Sequence, residues 1–328
     1  MAAYLLRRIV YGCVTVLGVL LLLFVLFFAI TDPDDIARKA VGERARPEVY
    51  VQWKSNHGYD KPLFLNAHYF ASDARRYTQT LLFEHYRSML SFDFGRSDAD
   101  DSPIARRIFD GAGPSLFLTV PVFTLGLILG VAVALFVAFF RETYIDRTVL
   151  VVCMLTMSVA GLLYIIAGQY LVGVLLKWFP ISGFSANPAV IARFFALPVL
   201  VGIITGFGAD VRLYRTIFLE EINRDYVRTA RAKGCGDARI MLRHVLRNAL
   251  IPILTNVVVT IPTLFTGALL LESFFGIPGL GSMTVEAIHG NDFSTLRTMV
   301  YLGALLFILG QILTDISYAI ADPRVRLD

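Results

Sequence analysis

Three carboxylates, Asp210, Glu272 and Asp315, stand in or beside long apolar runs of this 328-residue chain. There a carboxylate can carry a proton, hold a cation or pair with a base, because charge left alone in an apolar span is costly. Arg212 and Arg215 follow Asp210 closely, so an ion pair at the membrane edge is expected for it. Asn256, Thr260 and Thr263 recur at i, i+4 and i+7, with Gly267 extending the row, which puts one polar stripe on an apolar helix. Such a stripe suits either a water-lined path or close packing, since threonine hydroxyls can also bond the preceding turn. Neither a nucleophile with its base nor a metal cluster is readable within the apolar runs, and the pattern G-x-x-x-x-G-K-S/T is absent. An intramembrane enzyme is thus disfavoured, and nucleotide chemistry would need another chain. Cys13, Cys153 and Cys235 are expected as free thiols, and His57, His68 and His85 as surface residues, because neither set has ligand spacing.

The elements that must position these groups are membrane spans. Hydrophobic residues make up 56% of the chain and charged ones 17%, with a mean hydropathy of +0.64, more apolar surface than a soluble core could bury. The net charge of +4 lies between apolar runs, as membrane topology requires, so nucleic acid is not an expected partner. Ile9 to Ile30, preceded by Arg7 and Arg8, predicts a retained signal-anchor with a cytoplasmic N-terminus. Thr31 to Gly113 is polar and aromatic, with twelve basic and thirteen acidic residues, and is expected as a small folded extracytoplasmic element. Further spans are expected at Pro114 to Phe140, about Thr148 to Leu176, Ala196 to Val211, Pro252 to Leu271 and Leu296 to Ala321. In the third, Gly161, Tyr164 and Gly168 share a face suited to close helix packing.

Between the fourth and fifth spans, nine of the thirty Lys and Arg residues fall from Arg212 to Arg247. Two short helices with a sharp break are expected here. Asn223 is a good N-cap, Asp225 and Lys233 suit the dipole at the two ends, and Gly234 supplies a left-handed stop. Gly236 and Asp237 make the second cap, after which Arg239, Arg243 and Arg247 recur every four residues opposite Ile240, Leu242 and Leu246. That second helix is expected along the membrane surface before Pro252 starts a span.

The segment resembles the coupling loop of ABC importer permeases, and Thr229-Ala230-Arg231-Ala232-Lys233-Gly234 is similar to the version in peptide permeases. His244 to Pro252 continues that resemblance. Arg228 and Thr229 stand where Glu and Ala are usual in importers generally, and Arg247 replaces a Pro, departures common among peptide-type permeases. Gly58-Tyr-Asp-Lys-Pro-Leu63, Asp93-Phe-Gly-Arg-Ser97, Trp178-Phe-Pro-Ile-Ser-Gly-Phe184, Glu272-Ser-Phe-Phe-Gly-Ile-Pro-Gly-Leu-Gly281 and Ala321-Asp-Pro-Arg-Val-Arg-Leu327 also resemble that family. Relatives often carry a Pro after Ser158, where this chain has Val159-Ala160.

The resemblance implies an all-α polytopic membrane protein of the oligopeptide, dipeptide or nickel type, in the position of the first (B-type) permease. Its parts would be a signal-anchor over residues 1–30, a loop element over 31–113 and a permease core over 114–328, with the coupling helix at about 223–234 and both termini cytoplasmic in a bacterial inner membrane. A second homologous permease, two ATPase subunits carrying ATP and Mg, and a substrate-binding protein are the implied partners, beside membrane lipid. Arg228, Thr229, Ala230, Ala232, Lys233, Gly234 and Arg243 would meet the ATPase, with Ala230 and Ala232 small enough for close approach; Asn256, Thr260 and Thr263 are the path candidates. A proton-coupled transporter using Asp210, Glu272 or Asp315 is the rival from another class, and nickel or glutathione the rival substrates.

Overall fold

A computed structural model describes residues 2–30, 33–42, 45–56, 59–64, 75–185 and 187–321. Every regular element among them is helical. Helix α1 (Ala2–Phe24) runs on as a π-helical turn (Val25–Ile30), and short helices follow: α2 (Pro33–Val41), α3 (Pro47–Asn56), α4 (Arg75–Thr78) and α5 (Leu81–Leu90). The long α6 (Ile104–Phe139) precedes α7 (Tyr144–Ser158), α8 (Gly161–Gly168) with a π extension (Gln169–Leu175), and α9 (Pro188–Ile222). Then come α10 (Asp225–Ala232), α11 (Asp237–Arg239), a π stretch (Ile240–Val245), α12 (Leu246–Thr266), α13 (Leu269–Phe275), α14 (Leu280–His289) and α15 (Phe293–Ala321).

Among the described residues five helices are long and apolar enough to cross a membrane, or six if the bent pair of α7 with α8 and its extension is one span. That pair bends by 92° although it lacks the proline expected to kink it. Val159 and Ala160 are extended, and the Tyr164 hydroxyl donates to the Thr156 carbonyl at 2.9 Å, which satisfies a backbone group the break sets free. The packing expected of this segment is present: a Cβ at Gly168 would stand 2.7 Å from Val201 Cγ2 of α9. α6 and α9 outrun their predicted spans because polar and mixed turns at their ends stay helical. α12 stops short of the expected Leu271 because Gly267 turns to φ +78°.

Three apolar clusters succeed one another along α6. The first joins α1, α2, α5 and the start of α6 to α14 and α15, with Phe24, Ile36, Met89 and Ile104 sealed. The second holds Leu118, Ile165, Leu197 and Phe275, and the third Ala134, Phe218, Val227 and Val245. The polar loop is therefore folded onto the helix ends. His85 corrects an expectation, for it is 4% exposed and bonded through Nε2 to the Leu20 carbonyl at 3.1 Å. His57, His68, Gly58 and the 322–328 tail lie outside the described residues. No group of three or more metal-ligating residues occurs among those described, and Cys13, Cys153 and Cys235 are unbridged.

Candidate functional site

A cavity of about 350 Å³ opens between α6, α9 and α12, reaching Gly267 and Leu271 beyond the last of these. Its polar groups come from Thr119, Asp210, Tyr214, Asn256 and Thr260. The Thr260 hydroxyl donates to the Asn256 carbonyl at 2.9 Å, and that of Thr119 stands 2.9 Å from both the Leu264 and Ser115 carbonyls, which share its one hydrogen. The Asn256 amide and Tyr214 hydroxyl stand 3.5 Å apart. Asp210 does not make the ion pair expected of it. Arg215 instead turns to Asp146 on α7, with two bonds of 2.7 Å, a fork that ties α7 to α9. Asp315 is paired, with Arg8 at 3.1 Å.

Where α12 ends, the chain folds back through α13 and α14 around the carboxylate of Glu272, which is 0% exposed. Ser115 Oγ and the Ala268 N–H donate to Oε1 at 2.8 and 2.9 Å, and the Gly281 and Ser282 N–H groups donate to Oε2 at 2.7 and 3.1 Å. The last two open α14, so a helix N-terminus stabilises the buried charge. Gly279 leaves the space: a Cβ there would fall 2.2 Å from Oε2. Gln169 Nε2 reaches the Phe274 and Ile181 carbonyls, and the Gly183 N–H donates to the Phe275 carbonyl at 2.8 Å, which docks the Trp178 to Phe184 loop on α13. A second buried clasp closes the start of α15. The Ser97 hydroxyl donates to Asp292, while Asp98 accepts from the Ser294 N–H at 2.7 Å and its hydroxyl at 2.9 Å. Burial raises the Asp98 pKa above the ordinary aspartate range.

At the other end of α9, helix α10 sits on Val227 and Ala230, 1% and 8% exposed, against α6, α9 and the π stretch. Arg224 rather than Asn223 holds the N-cap position, without a side-chain bond, and Asp225 begins the first turn. Gly234 ends the helix at φ +78°, where the Cys235 N–H donates back to the Ala230 carbonyl at 3.2 Å. Arg231 bridges the break to Asp237 at 3.2 Å. Tyr226, raised to about 12 by burial and by the Glu221 carboxylate it binds, keeps its proton and ties α10 to α9. Beyond the break α11, the π stretch and α12 form one continuous helix, so the separate surface helix expected before Pro252 does not exist. The π turn also resets the face: Met241 and Val245 are buried with Ile240, whereas Leu242 is 62% exposed.

Residues 115–327 match the family described as "Binding-protein-dependent transport system inner membrane component", and residues 1–110 match the description of its N-terminal part. The chain belongs to this family. It is 30% identical over 332 residues to a protein of Brucella abortus named as a peptide transport system permease, with 100% of each chain covered. A protein of Sinorhizobium fredii named as a peptide ABC transporter permease is 27% identical, over 99% of this chain and 100% of its own. The glutathione transport system permease protein of Shigella flexneri is 28% identical, over 99% of each. This is a multi-pass inner-membrane permease subunit of an ABC importer.

In the permease, Arg228, Thr229, Ala232, Lys233, Gly234 and Arg243 are exposed. Ala230 is turned inward, so its small size serves the seat of α10 and not an outward contact. Asn256, Thr260 and Gly267 line the cavity, and the Thr263 side chain lies outside the described residues. Sequence reasoning missed Tyr214, Thr119 and the Asp146–Arg215 fork. Tyr214 lies four residues after Asp210, a spacing that could have flagged it as a helical neighbour.

Proposed function

We propose that the permease forms half of a translocation path for di- or oligopeptides and couples that path to ATPase subunits seated on α10. The observation that carries this is the outward face of α10, which offers Arg228, Thr229, Ala232 and Lys233 to a partner while Val227 and Ala230 fix the helix to the spans. The names of the relatives favour peptides, and glutathione or nickel would use the same architecture. The proposed assembly has six spans with both termini cytoplasmic, a second homologous permease closing the cavity, two ATPases holding ATP and Mg, and a binding protein delivering substrate outside. Alternating exposure of the cavity follows from closure of the ATPases. A proton-coupled cycle would be left with Asp210 alone, because Glu272 spends its carboxylate on four hydrogen bonds and Asp315 on Arg8. The test is uptake of a labelled peptide into proteoliposomes holding the full assembly and its binding protein. Uptake that needs ATP, and is lost with Gly234→Val although the assembly still forms, supports the coupling role. Uptake that persists without ATP, driven by a pH gradient, overturns it.

A further inference from the structure

Asp210 is the carboxylate that the frame of the permease leaves unused. Its two obvious partners are committed elsewhere: Arg215 to Asp146 at 2.7 Å, while Arg212 lies exposed. Among the described residues no cation stands within ion-pair distance of it. It is half-buried, towards the inner end of the apolar part of α9, on the wall of the 350 Å³ cavity. Space for it is provided on α6, where a Cβ at Gly130 would meet its own Cβ at 3.2 Å and the Tyr214 ring at 3.4 Å. An unpaired carboxylate in a span is expensive to keep, and a ligand that brings a positive charge removes that cost.

The rest of the wall fixes the kind of cation. The Thr260 and Thr119 hydroxyls on the same wall are neutral groups that donate to backbone carbonyls. Asn256 adds an amide, which carries both an acceptor and donors, to that wall. One carboxylate among neutral oxygens is a poor set for a transition-metal ion, which draws on imidazoles or thiolates, and no group of three or more metal-ligating residues occurs among those described. A primary ammonium, with three N–H donors and one charge, matches a carboxylate flanked by acceptors. We infer that Asp210, with Asn256 and Thr260, forms a subsite of the path for the ammonium group of the substrate, the free amino terminus of a peptide. This rests on the peptide reading above and adds to it a charge preference located in the membrane subunit itself.

The test reads the cavity directly, independent of delivery by a binding protein. In the assembled importer, with Cys13, Cys153 and Cys235 replaced, Leu264→Cys on the same cavity wall is labelled with a cationic (trimethylammonium) or an anionic (sulfonate) methanethiosulfonate. A single charge about 6 Å away at an effective dielectric of about 40 shifts local ion concentration by about tenfold. The cation-to-anion rate ratio is therefore expected to fall at least tenfold on Asp210→Asn and to be kept by Asp210→Glu. A dipeptide with a free amine should protect the thiol, its N-acetyl form should not, and Asp210→Asn should abolish the protection. A ratio unmoved by Asp210→Asn overturns the inference. So does loss of the second permease from the Asp210→Asn assembly with equal labelling by both reagents, which would make Asp210 a subunit contact. If the ratio collapses as expected but the unmodified assembly imports no peptide, the cationic subsite stands and the peptide assignment falls; peptide import with an unchanged ratio gives the reverse.

Discussion

At the α13–α14 junction one carboxylate is sealed from solvent and accepts four hydrogen bonds, whereas at α10 the polar side chains point outward and two apolar side chains hold the helix down. The difference separates positions that set the shape of the permease from positions that answer to a partner. A buried charge with every lone pair engaged fixes one geometry, because any displacement strands groups that water cannot reach. An exposed charged face contributes little to folding and stays available for contact. Damage at the first region should therefore appear as instability, and damage at the second as lost function in a sound protein.

The sharpest way to break this contrast is Glu272→Ala. It leaves the buried N–H groups of Gly281 and Ser282 without an acceptor, each a loss of about 1–3 kcal/mol, and strands the partly buried one of Ala268 as well. Severe loss of assembled permease is expected, measured by size exclusion and thermal melting in detergent; a melting temperature within a few degrees of the unmodified protein would refute the role given to this carboxylate. Next in size is Arg215→Ala, which strands Asp146 at 6% side-chain exposure and should cost about 3 kcal/mol. Loss of the Asp146 partner should be eased by the double variant with Asp146→Asn, and the absence of easing would show that the fork is not the source.

How much of this was legible in the sequence differs between the two regions for a physical reason. The spans follow from apolar run length, and the Glu272 to Gly281 break from three glycines and a proline that no helix would carry. The partners of Glu272 and Arg215 were not legible, because Ser115 and Asp146 are separated from them by 157 and 69 residues and tertiary packing alone brings them together. The inward turn of Ala230 was readable in principle, since Val227 precedes it by three residues on the same helical face. The 92° bend was not, as the residue type that usually marks it is missing. His85 was misjudged because its acceptor is a backbone carbonyl, at Leu20, which carries no sequence signature.

His85 supplies a pH-dependent version of the contrast. Burial first, then the Arg297 charge, lower its pKa to about 3, while the bond to the Leu20 carbonyl acts weakly the other way. Unfolded it titrates near 6.5, so below that pH the unfolded chain binds the extra proton and stability should fall towards pH 3, by up to about 1.4 kcal/mol per unit. Asp98 has the opposite sign: its raised pKa relieves a burial cost as the pH drops. Acid melts of His85→Gln should lose the decline that starts near pH 6.5; an unchanged decline would assign it to other groups. The smallest effect on stability is expected of Ala232→Trp, within about 0.5 kcal/mol at an exposed site. Transport should nonetheless be lost. Full transport with a bulky residue at 232 would remove α10 from the coupling contact.

The run from Asp237 through the π stretch and past Pro252 into α12 is helical throughout and can act as a rod. Asp237 and Asn256 are 19 residues apart, about 28 Å at an ordinary helical rise. If the foot of such a rod pivots by about 10°, Asn256 is carried about 5 Å sideways, roughly one helical pitch. Displacement at the cavity wall would then scale with the angle at the foot, and a single glycine pair placed between Ala249 and Thr255 would act as a slack coupling: ATP turnover could continue while the wall stood still.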